Sequence, residues 1–205
     1  MNKKTDVQVM LREAAILTII TLVAGLLLGF VYELTKEPIK KQKEKAVREA
    51  CMAVFPGSGI RFTEEDYSLS DELLEELKNN GVAIGTIYEA TDAAGEKKGY
   101  VVQTTSSEGY GGKIVLYAGI TVEGLLNDIS ILQINETPGL GLQAEKVLVP
   151  QFHNKPATTF SYTKTGSQSE KEIDAISGAT ITTKAVTNAV NGATAAVKEL
   201  MGGGK

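Results

Sequence analysis

Residues 82–134, VAIGTIYEATDAAGEKKGYVVQTTSSEGYGGKIVLYAGITVEGLLNDISILQI, determine the fold. Four segments within this stretch are rich in β-branched and aromatic residues and are separated by turn-forming residues, the pattern typical of strands. The predicted strands are residues 82–90, 99–105, 113–121 and 129–134. The linkers are short, and a parallel pair needs a crossover of about a dozen residues or more. We therefore expect neighbouring antiparallel strands.

Helical patterns flank the predicted strands. Pro38 suits the first turn of a helix, where its missing N–H is not needed. Either Ser68 or Ser70 can be the N-cap of the next helix, because a serine hydroxyl accepts a hydrogen bond from the first helical turn. The predicted helices are residues 38–55, a short helix that ends at Gly81, and residues 183–201. Helices around an antiparallel meander predict an α+β fold.

An uncharged segment near the N-terminus predicts a single transmembrane helix. Residues 14–32, AAILTIITLVAGLLLGFVY, contain no charged side chain and are bounded by Glu13 and Glu33. A helix of this length spans roughly 28 Å, which is close to the hydrocarbon thickness of a bilayer. A cleaved signal peptide is the main alternative, but residues 33–37 offer no small-x-small cleavage site.

The chain is thus expected to have four parts. These are a short tail over residues 1–13, a transmembrane helix over 14–32, a helical linker region over 33–81 and a domain over 82–205. Three basic residues precede the predicted span and six follow it closely. A positive-inside count favours a cytoplasmic domain, but large domains can translocate against that rule, so the residues alone leave the side open.

Charge and composition exclude several functions. Residues 51–205 hold 12 basic and 19 acidic residues, a net charge of −7, which disfavours nucleic-acid binding because phosphate neutralisation supplies most of that affinity. Cys51 is the single cysteine and His153 the single histidine. One thiol can form neither an internal disulfide nor an iron–sulfur site. We expect no metal site, and we interpret Cys51 as a buried helix residue and His153 as a loop residue.

Three glycine-containing blocks are candidates for a binding site. Glycine block 1 is Gly109-Tyr110-Gly111-Gly112, glycine block 2 is Glu136-Thr137-Pro138-Gly139-Leu140-Gly141, and glycine block 3 is Asp174-Ala175-Ile176-Ser177-Gly178-Ala179-Thr180. Block 1 alone could be a hairpin turn. Block 2 alone could be a type II turn, in which proline pre-sets one dihedral and glycine supplies a positive φ.

Glycine block 3 carries more chemistry than a turn requires. Its small residues permit close backbone approach, and Thr180 presents a hydroxyl just before the predicted last helix. The free N–H groups and the dipole of a helix N-terminus favour a phosphate there. The structural alternative is that Thr180, Thr182 and Thr183 compete to cap that helix.

Together, the three blocks resemble the FMN-binding domain family, in the family's order. Glycine block 3 resembles its flavinylation motif, in which a flavin transferase moves FMN from FAD to the last threonine as a phosphoester. With the N-terminal span, the chain is most similar to the G subunits of Rnf electron-transport complexes, and it is related to the C subunits of sodium-pumping NADH:quinone reductases. One position departs from the pattern, because Ile134 stands where the family often has histidine.

The resemblance implies a covalent FMN on Thr180 and no catalytic residue of the protein's own. The other cofactor-binding residues that it implies are Tyr110, Glu136, Thr137, Pro138, Gly139, Leu140, Gly141, Asp174, Ser177, Gly178 and Ala179. It implies a redox relay in a membrane complex that couples electron transfer between ferredoxin and NAD to ion translocation. The implied partners are the other membrane subunits of the complex and, during maturation, a flavin transferase. The implied location is the inner membrane, with the FMN domain on its outer face. This side is opposite to the one that the positive-inside count favours.

Two alternatives remain open at this point. The chain could be a stand-alone membrane-anchored flavin reductase, or a cofactor-free tethered binding domain in which all three blocks are turns. A second Gly-Ala-Thr, at residues 192–194, lies in the middle of the predicted last helix and has no aspartate six residues before its threonine. We interpret it as helix packing and expect no modification there.

Overall fold

A computed structural model describes residues 3–202 of the chain. Its helices are α1 (Lys3–Val54), α2 (Asp71–Asn79), α3 (Ala144–Val147), α4 (Val149–Phe152) and α5 (Thr180–Gly202), with a short 3-10 helix at Gly141–Gln143. Its strands are β1 (Arg61–Glu65), β2 (Val82–Thr91), β3 (Lys97–Ser106), β4 (Ile114–Thr121), β5 (Leu125–Gln133), β6 (Lys155–Pro156), β7 (Ser161–Thr163) and β8 (Glu172–Asp174).

The main sheet is an antiparallel meander in the order β1-β2-β3-β4-β5-β6. The α+β prediction is therefore confirmed, with four of the strands at the predicted places. Strand β5 begins at Leu125, four residues before the predicted start. The preceding loop closes as a tight turn in which Gly124 has φ +78° and donates its N–H to the carbonyl of Thr121. This turn leaves Leu126 and Asp128 free to pair with β4.

Helix α5 covers one face of this sheet and forms the larger core. Its small apolar side chains pack on β2, β3 and β4, and the whole helix is buried along that side. The buried apolar residues of α5 are Ala185, Val186, Ala189, Val190, Ala193, Ala196 and Val197. Alanines at this spacing let the helix axis approach the sheet closely, as expected for an interior packed at crystal-like density.

The last two turns of α1 cover the opposite face of the sheet. Ala50, Cys51 and Val54 are buried there against Val101 and Tyr117 of the central strands. Cys51 is thus a buried helix residue, as the sequence predicts. Burial raises the pKa of its thiol to about 11. Both faces of the sheet are therefore covered by helices.

Helix α1 runs without interruption through Pro38, so the prediction of a new helix starting at that proline is wrong. Proline removes one intrahelical hydrogen bond, to the carbonyl of Leu34, while the neighbouring turns keep theirs. The residues around Pro38 form a helical pattern in either case, so the local sequence does not distinguish a helix start from a proline inside a longer helix.

Residues up to Ala46 form one compact unit, and residues from Val47 onwards form a second. In the first unit α1 is long and apolar enough to cross a membrane by length and composition. Its large apolar side chains from Val9 to Leu34 are exposed to the surroundings rather than packed against protein. Such exposure over many turns is typical of a helix that faces lipid or partner helices.

The two ends of α2 lie where the capping signals in the sequence predict, whereas α5 begins earlier than predicted. Ser70 is the N-cap of α2, and its hydroxyl accepts a hydrogen bond from the N–H of Leu73 at 3.3 Å. Gly81 follows the helix with φ +67°, a conformation that glycine adopts without strain. Helix α5 begins at Thr180, three residues before the predicted start.

Candidate cofactor site

A cavity of about 480 Å³ lies at the N-terminal end of α5, within the size range of small-molecule sites. Its walls come from all three glycine blocks. The predicted site residues that line it are Tyr110, Glu136, Thr137, Leu140, Gly141, Gly178, Ala179 and Thr180, joined by Ile181 and Thr182. Three loops that are distant in sequence therefore meet around one space.

Glycine block 1 lies in the loop that connects β3 to β4, as its interpretation as a hairpin turn predicts. A Cβ atom on Gly111 would collide with the backbone carbonyl oxygen of Asn135. A Cβ atom on Gly109 would lie 2.9 Å from Oε1 of Glu136. The glycines are thus needed because this loop passes directly over the start of glycine block 2. Tyr110 stands between them, largely exposed, at the rim of the cavity.

Glycine block 2 begins with a β-turn and ends in the cavity wall. The N–H of Leu140 donates to the carbonyl of Thr137 at 3.2 Å, and Gly139 has φ +78°, as a type II turn requires. The turn places Pro138 and Gly139 outside the residues that line the cavity, while Leu140 and Gly141 line it. A Cβ atom on Gly141 would lie 2.5 Å from Oγ1 of Thr182, so only glycine fits against the first turn of α5.

The beginning of glycine block 3 fixes a neighbouring loop. Asp174 ends β8, and its carboxylate accepts a hydrogen bond from the N–H of Ser167 at 2.6 Å. Its backbone N–H and carbonyl oxygen are both bound by the side-chain amide of Gln151, at 2.7 and 3.1 Å. Asp174 and Ser177 are exposed and do not line the cavity. The structure thus gives Asp174 a role in holding the loop that leads to the site.

The end of glycine block 3 is a tight turn that runs directly into α5. The N–H of Ala179 donates to the carbonyl of Ile176 at 2.9 Å, and Gly178 has φ +75°. Thr180 follows as the first residue of α5 and is half-buried at the cavity wall. The N–H groups of the first helical turn have no intrahelical acceptors, which leaves them available to an anion.

The three threonines at the start of α5 have different roles. The Thr183 hydroxyl accepts a hydrogen bond from the N–H of Ile176 at 3.1 Å and donates to the carbonyl of Ala179 at 3.0 Å. It therefore ties the preceding turn to the helix. Thr180 and Thr182 line the cavity instead. Because Thr183 makes these bonds, the local structure does not depend on the Thr180 hydroxyl as a cap.

Glu136 is a buried carboxylate packed between glycine blocks 1 and 2. It is 6% exposed, and its Oε1 accepts a hydrogen bond from the N–H of Gly111 at 3.4 Å. Its Oε2 lies beside Gly141, where a Cβ atom would be 2.7 Å away. Among the described residues that line the cavity there is no lysine, arginine or histidine. The site therefore contains one buried negative charge without a cation in its wall.

Sequence reasoning did not single out Ile181 as a site residue and considered Thr182 only as a cap. Both follow from the position of the helix start, since residues one and two places after Thr180 share its first turn. Ile134, the departure from the family pattern, packs against the larger core rather than into the cavity wall.

One ion pair lies next to the cavity. Nζ of Lys184 is 3.0 Å from Oε2 of Glu108, which immediately precedes glycine block 1. Lys184 follows Thr180 by four residues, so the two side chains lie on the same face of α5. His153 takes part in a separate pair, with Nδ1 at 2.9 Å from Oδ2 of Asp128, and Cys51 is buried on the other face of the sheet.

Two family models match the chain. The family model for the FMN-binding domain matches residues 109–195, and the model for the RnfG N-terminal region matches residues 1–54. The G subunit of the proton-translocating ferredoxin:NAD(+) oxidoreductase complex of Clostridium ljungdahlii is 34% identical over 188 residues, which cover 91% of each chain.

Two further matches are partial. The G subunit of the Na(+)-translocating ferredoxin:NAD(+) oxidoreductase complex of Acetobacterium woodii is 43% identical over 99 residues, about half of each chain (47% of this one and 48% of that one). The crystal structure of Shewanella oneidensis NqrC shares 20% identity, with a TM-score of 0.44 over 52% of this chain and 53% of that one.

Proposed function

Because the chain belongs to the family of G subunits of ion-translocating ferredoxin:NAD oxidoreductase complexes, we propose that it carries FMN covalently on Thr180. In this role the chain is one electron carrier of such a complex and not a self-contained catalyst. The observation that carries the proposal is the position of the Thr180 hydroxyl. Thr180 lines a ligand-sized cavity at the start of α5, and Thr183 makes the local hydrogen bonds that could otherwise explain a threonine there.

The residues present fit an FMN group. A phosphate on Thr180 would lie at the first turn of α5, where unpaired N–H groups and the helix dipole stabilise negative charge. Leu140, Ile181 and Tyr110 offer apolar surface for a flat aromatic ring system. Gly141 and Gly178 allow the backbone to approach the group closely. These contacts are of the kind that a cofactor site needs.

The proposed attachment is a phosphoryl transfer. The Thr180 oxygen forms a bond to the FMN phosphorus of FAD, the P–O bond to the AMP half breaks, and the hydroxyl proton is lost. The flavin transferase supplies FAD and the catalysis, so no residue of this chain acts as an acid or a base. Once bound, FMN supplies the redox chemistry, while the chain's residues position it and exclude water.

Maturation can be tested on the full-length chain. Co-expression with a flavin transferase and FAD should give a denatured protein that stays yellow and fluorescent and is heavier by the mass of FMN less water. Expression without the transferase is the control and should give the unmodified mass. An unmodified mass in both cultures would refute the covalent attachment and favour the alternative of a cofactor-free tethered domain.

The apolar part of α1 and the family membership fit a membrane-anchored subunit. We propose a single-pass orientation with the domain on the outer face, where a covalent link would prevent loss of the cofactor by dilution. Ser169, which is exposed, can be changed to cysteine and labelled with a thiol reagent in intact cells. Cys51 gives little background because it is buried and its pKa is about 11. Labelling by an impermeant reagent before lysis supports the outer face, and labelling after lysis alone would place the domain inside.

The proposed partners are the other membrane subunits of the complex. Affinity purification of the full chain from its own membrane in mild detergent should recover those subunits together with it. Recovery of the chain alone, with flavin attached and able to reduce an added acceptor, would favour the stand-alone flavin reductase instead. The single apolar helix has no charged residue between Glu13 and Glu33, so it supplies no ion path of its own.

A further inference from the structure

We propose that Glu136 is a positioning residue that accepts a hydrogen bond from the cofactor and keeps the reduction potential of the flavin low. This inference rests on the proposed function, since it concerns the group that occupies the cavity. It begins from the fact that glycine blocks 1 and 2 both pack on this one carboxylate, in a cavity that glycine block 3 also lines. No other charged side chain lines the cavity among the described residues.

The packing around Glu136 is specific. From glycine block 1, Gly109 and Gly111 leave room for Oε1, and the N–H of Gly111 donates to it. From glycine block 2, Gly141 leaves room for Oε2. Thr182, in the first turn of α5, also packs against Gly141, because its Oγ1 would lie 2.5 Å from a Cβ atom at that position. Glycine blocks 1 and 2 and the first turn of α5 thus meet closely around this side chain.

The carboxylate is poorly satisfied by the protein. The one hydrogen bond that it accepts from the described residues is long, at 3.4 Å, although the residue is only 6% exposed. Its Oε2 accepts no hydrogen bond from the described residues and keeps some access to solvent, and carboxylate oxygens of this kind usually meet a ligand, a water or another charge. Because the carboxylate lines the cavity, a ligand with an N–H or O–H donor could bind to this oxygen.

FMN has donors of both kinds, in the ribityl hydroxyls and in the N–H of its ring system. The chemistry of Glu136 therefore complements the cofactor that Thr180 is proposed to hold. A hydrogen bond from such a donor would fix the rotation of the cofactor about its single bond to Thr180. A threonine phosphoester alone leaves that rotation free.

The charge has a second consequence. Reduction brings electrons to the flavin, and a fixed negative charge close to it opposes any gain of negative charge not matched by protons. No cation in the described part of the cavity wall offsets this repulsion. Glu136 is therefore expected to favour the oxidised cofactor and to lower its midpoint potential.

The test compares full-length variants that have first been shown by mass to carry covalent FMN. Glu136→Gln keeps the size of the side chain and removes its charge. Glu145→Gln removes a charge from an exposed site on α3 and is the matched control. The midpoint potential is measured by titration with dithionite. We expect E136Q to shift the reduced-to-oxidised ratio at a given potential at least tenfold towards the reduced form, about 30 mV for two electrons, and E145Q to shift it less than twofold.

Equal potentials for E136Q, E145Q and the wild type would overturn the inference while leaving covalent FMN on Thr180 intact. Absence of covalent FMN from the wild type would instead refute the proposed function, and with it this inference. If E136Q folds poorly or is not loaded, Glu136→Asp decides the question. This variant keeps the charge but moves it back by one methylene. We therefore expect the reduced-to-oxidised ratio at a given potential to shift towards the reduced form by less than tenfold. A midpoint potential equal to that of the wild type would contradict the role of Glu136.

Discussion

The tripeptide Gly-Ala-Thr occurs twice along α5, once at its start and once inside it, and the two copies differ in almost every physical respect. In the first, Gly178 precedes the helix with φ +75°, and Thr180 is half-buried at the cavity wall. In the second, all of Gly192, Ala193 and Thr194 are buried in the middle of the helix. The Thr194 hydroxyl donates to the carbonyl of Asn191 at 2.9 Å, within its own helix.

Position relative to the helix end, and not the tripeptide, therefore decides what the threonine can do. At the helix start the backbone N–H groups are free and the threonine lines a cavity. In the middle of the helix every N–H is paired and the hydroxyl bonds to a carbonyl one turn earlier. A transferase that recognised only three residues would find both copies, whereas one that needs an accessible hydroxyl would find only the first.

The largest effect is expected from removing each hydroxyl in turn. Thr180→Val should abolish covalent flavin, because valine has no oxygen to form the phosphoester. Thr194→Val should leave covalent flavin at the wild-type level and cost about 1 kcal/mol of stability or less, the usual net value of one hydrogen bond. Both are measured as flavin absorbance per denatured chain after co-expression with the transferase. Flavin retained in T180V, or lost in a folded T194V, would contradict the distinction between the two copies.

A smaller and opposite pair of effects is expected at the two glycines. Gly178→Ala places a side chain at φ +75° and brings its Cβ atom 3.1 Å from Cδ2 of Leu140 in the cavity wall. The strain of about 1 kcal/mol or more lies at the site, so the yield of covalent flavin should fall several-fold.

Gly192→Ala instead brings a Cβ atom 2.8 Å from Cγ1 of Val82 in the core. Overpacking of roughly 1–3 kcal/mol exceeds the gain in helix propensity of about 1 kcal/mol, so stability should fall by about 1 kcal/mol. Flavin per folded chain should not change. Thermal melts together with flavin content distinguish the two variants, and equal flavin loss in both would show that the site merely reports global stability.

The smallest effect is expected at Lys184, which lies between the two copies. Its pair with Glu108 is partly exposed, with side-chain exposures of 50% and 35%. A double-mutant cycle with Lys184→Gln and Glu108→Gln should give a coupling energy below about 1 kcal/mol that decreases in high salt. A coupling above about 2 kcal/mol would mean that glycine block 1 is held in place by this pair rather than by its glycines.

Sequence reasoning located the parts of the molecule that have strong local signals. The four long strands, the choice of Ser68 or Ser70 as cap and the glycines at the three blocks follow from periodicity and backbone chemistry. That the blocks meet in space could be expected only from the family resemblance, because no local pattern specifies a contact between Gly111 and Asn135.

The missed elements share a physical cause. Strand β1 contains one large apolar residue, Phe62, while strands β6, β7 and β8 are two or three residues long and α3 and α4 have four residues each, so none of them shows a hydrophobic period. Strands β7 and β8 are parallel although few residues separate them. Side chains close the intervening loop, with the N–H of Ser167 bound by Asp174 and the N–H of Gln168 by Glu172. Such loop closure depends on tertiary geometry and leaves no period in the sequence.

The decisive measurement locates the flavin on the chain. Trypsin cleaves after Lys171, Lys184 and Lys198 and so separates residues 172–184, EIDAISGATITTK, from residues 185–198, AVTNAVNGATAAVK. Fragment masses of the wild-type protein, matured with the transferase, should place FMN less water on the first peptide and on Thr180. Flavin on the second peptide, or on Ser177, Thr182 or Thr183 of the first, would contradict the assignment of the Thr180 hydroxyl as the attachment point.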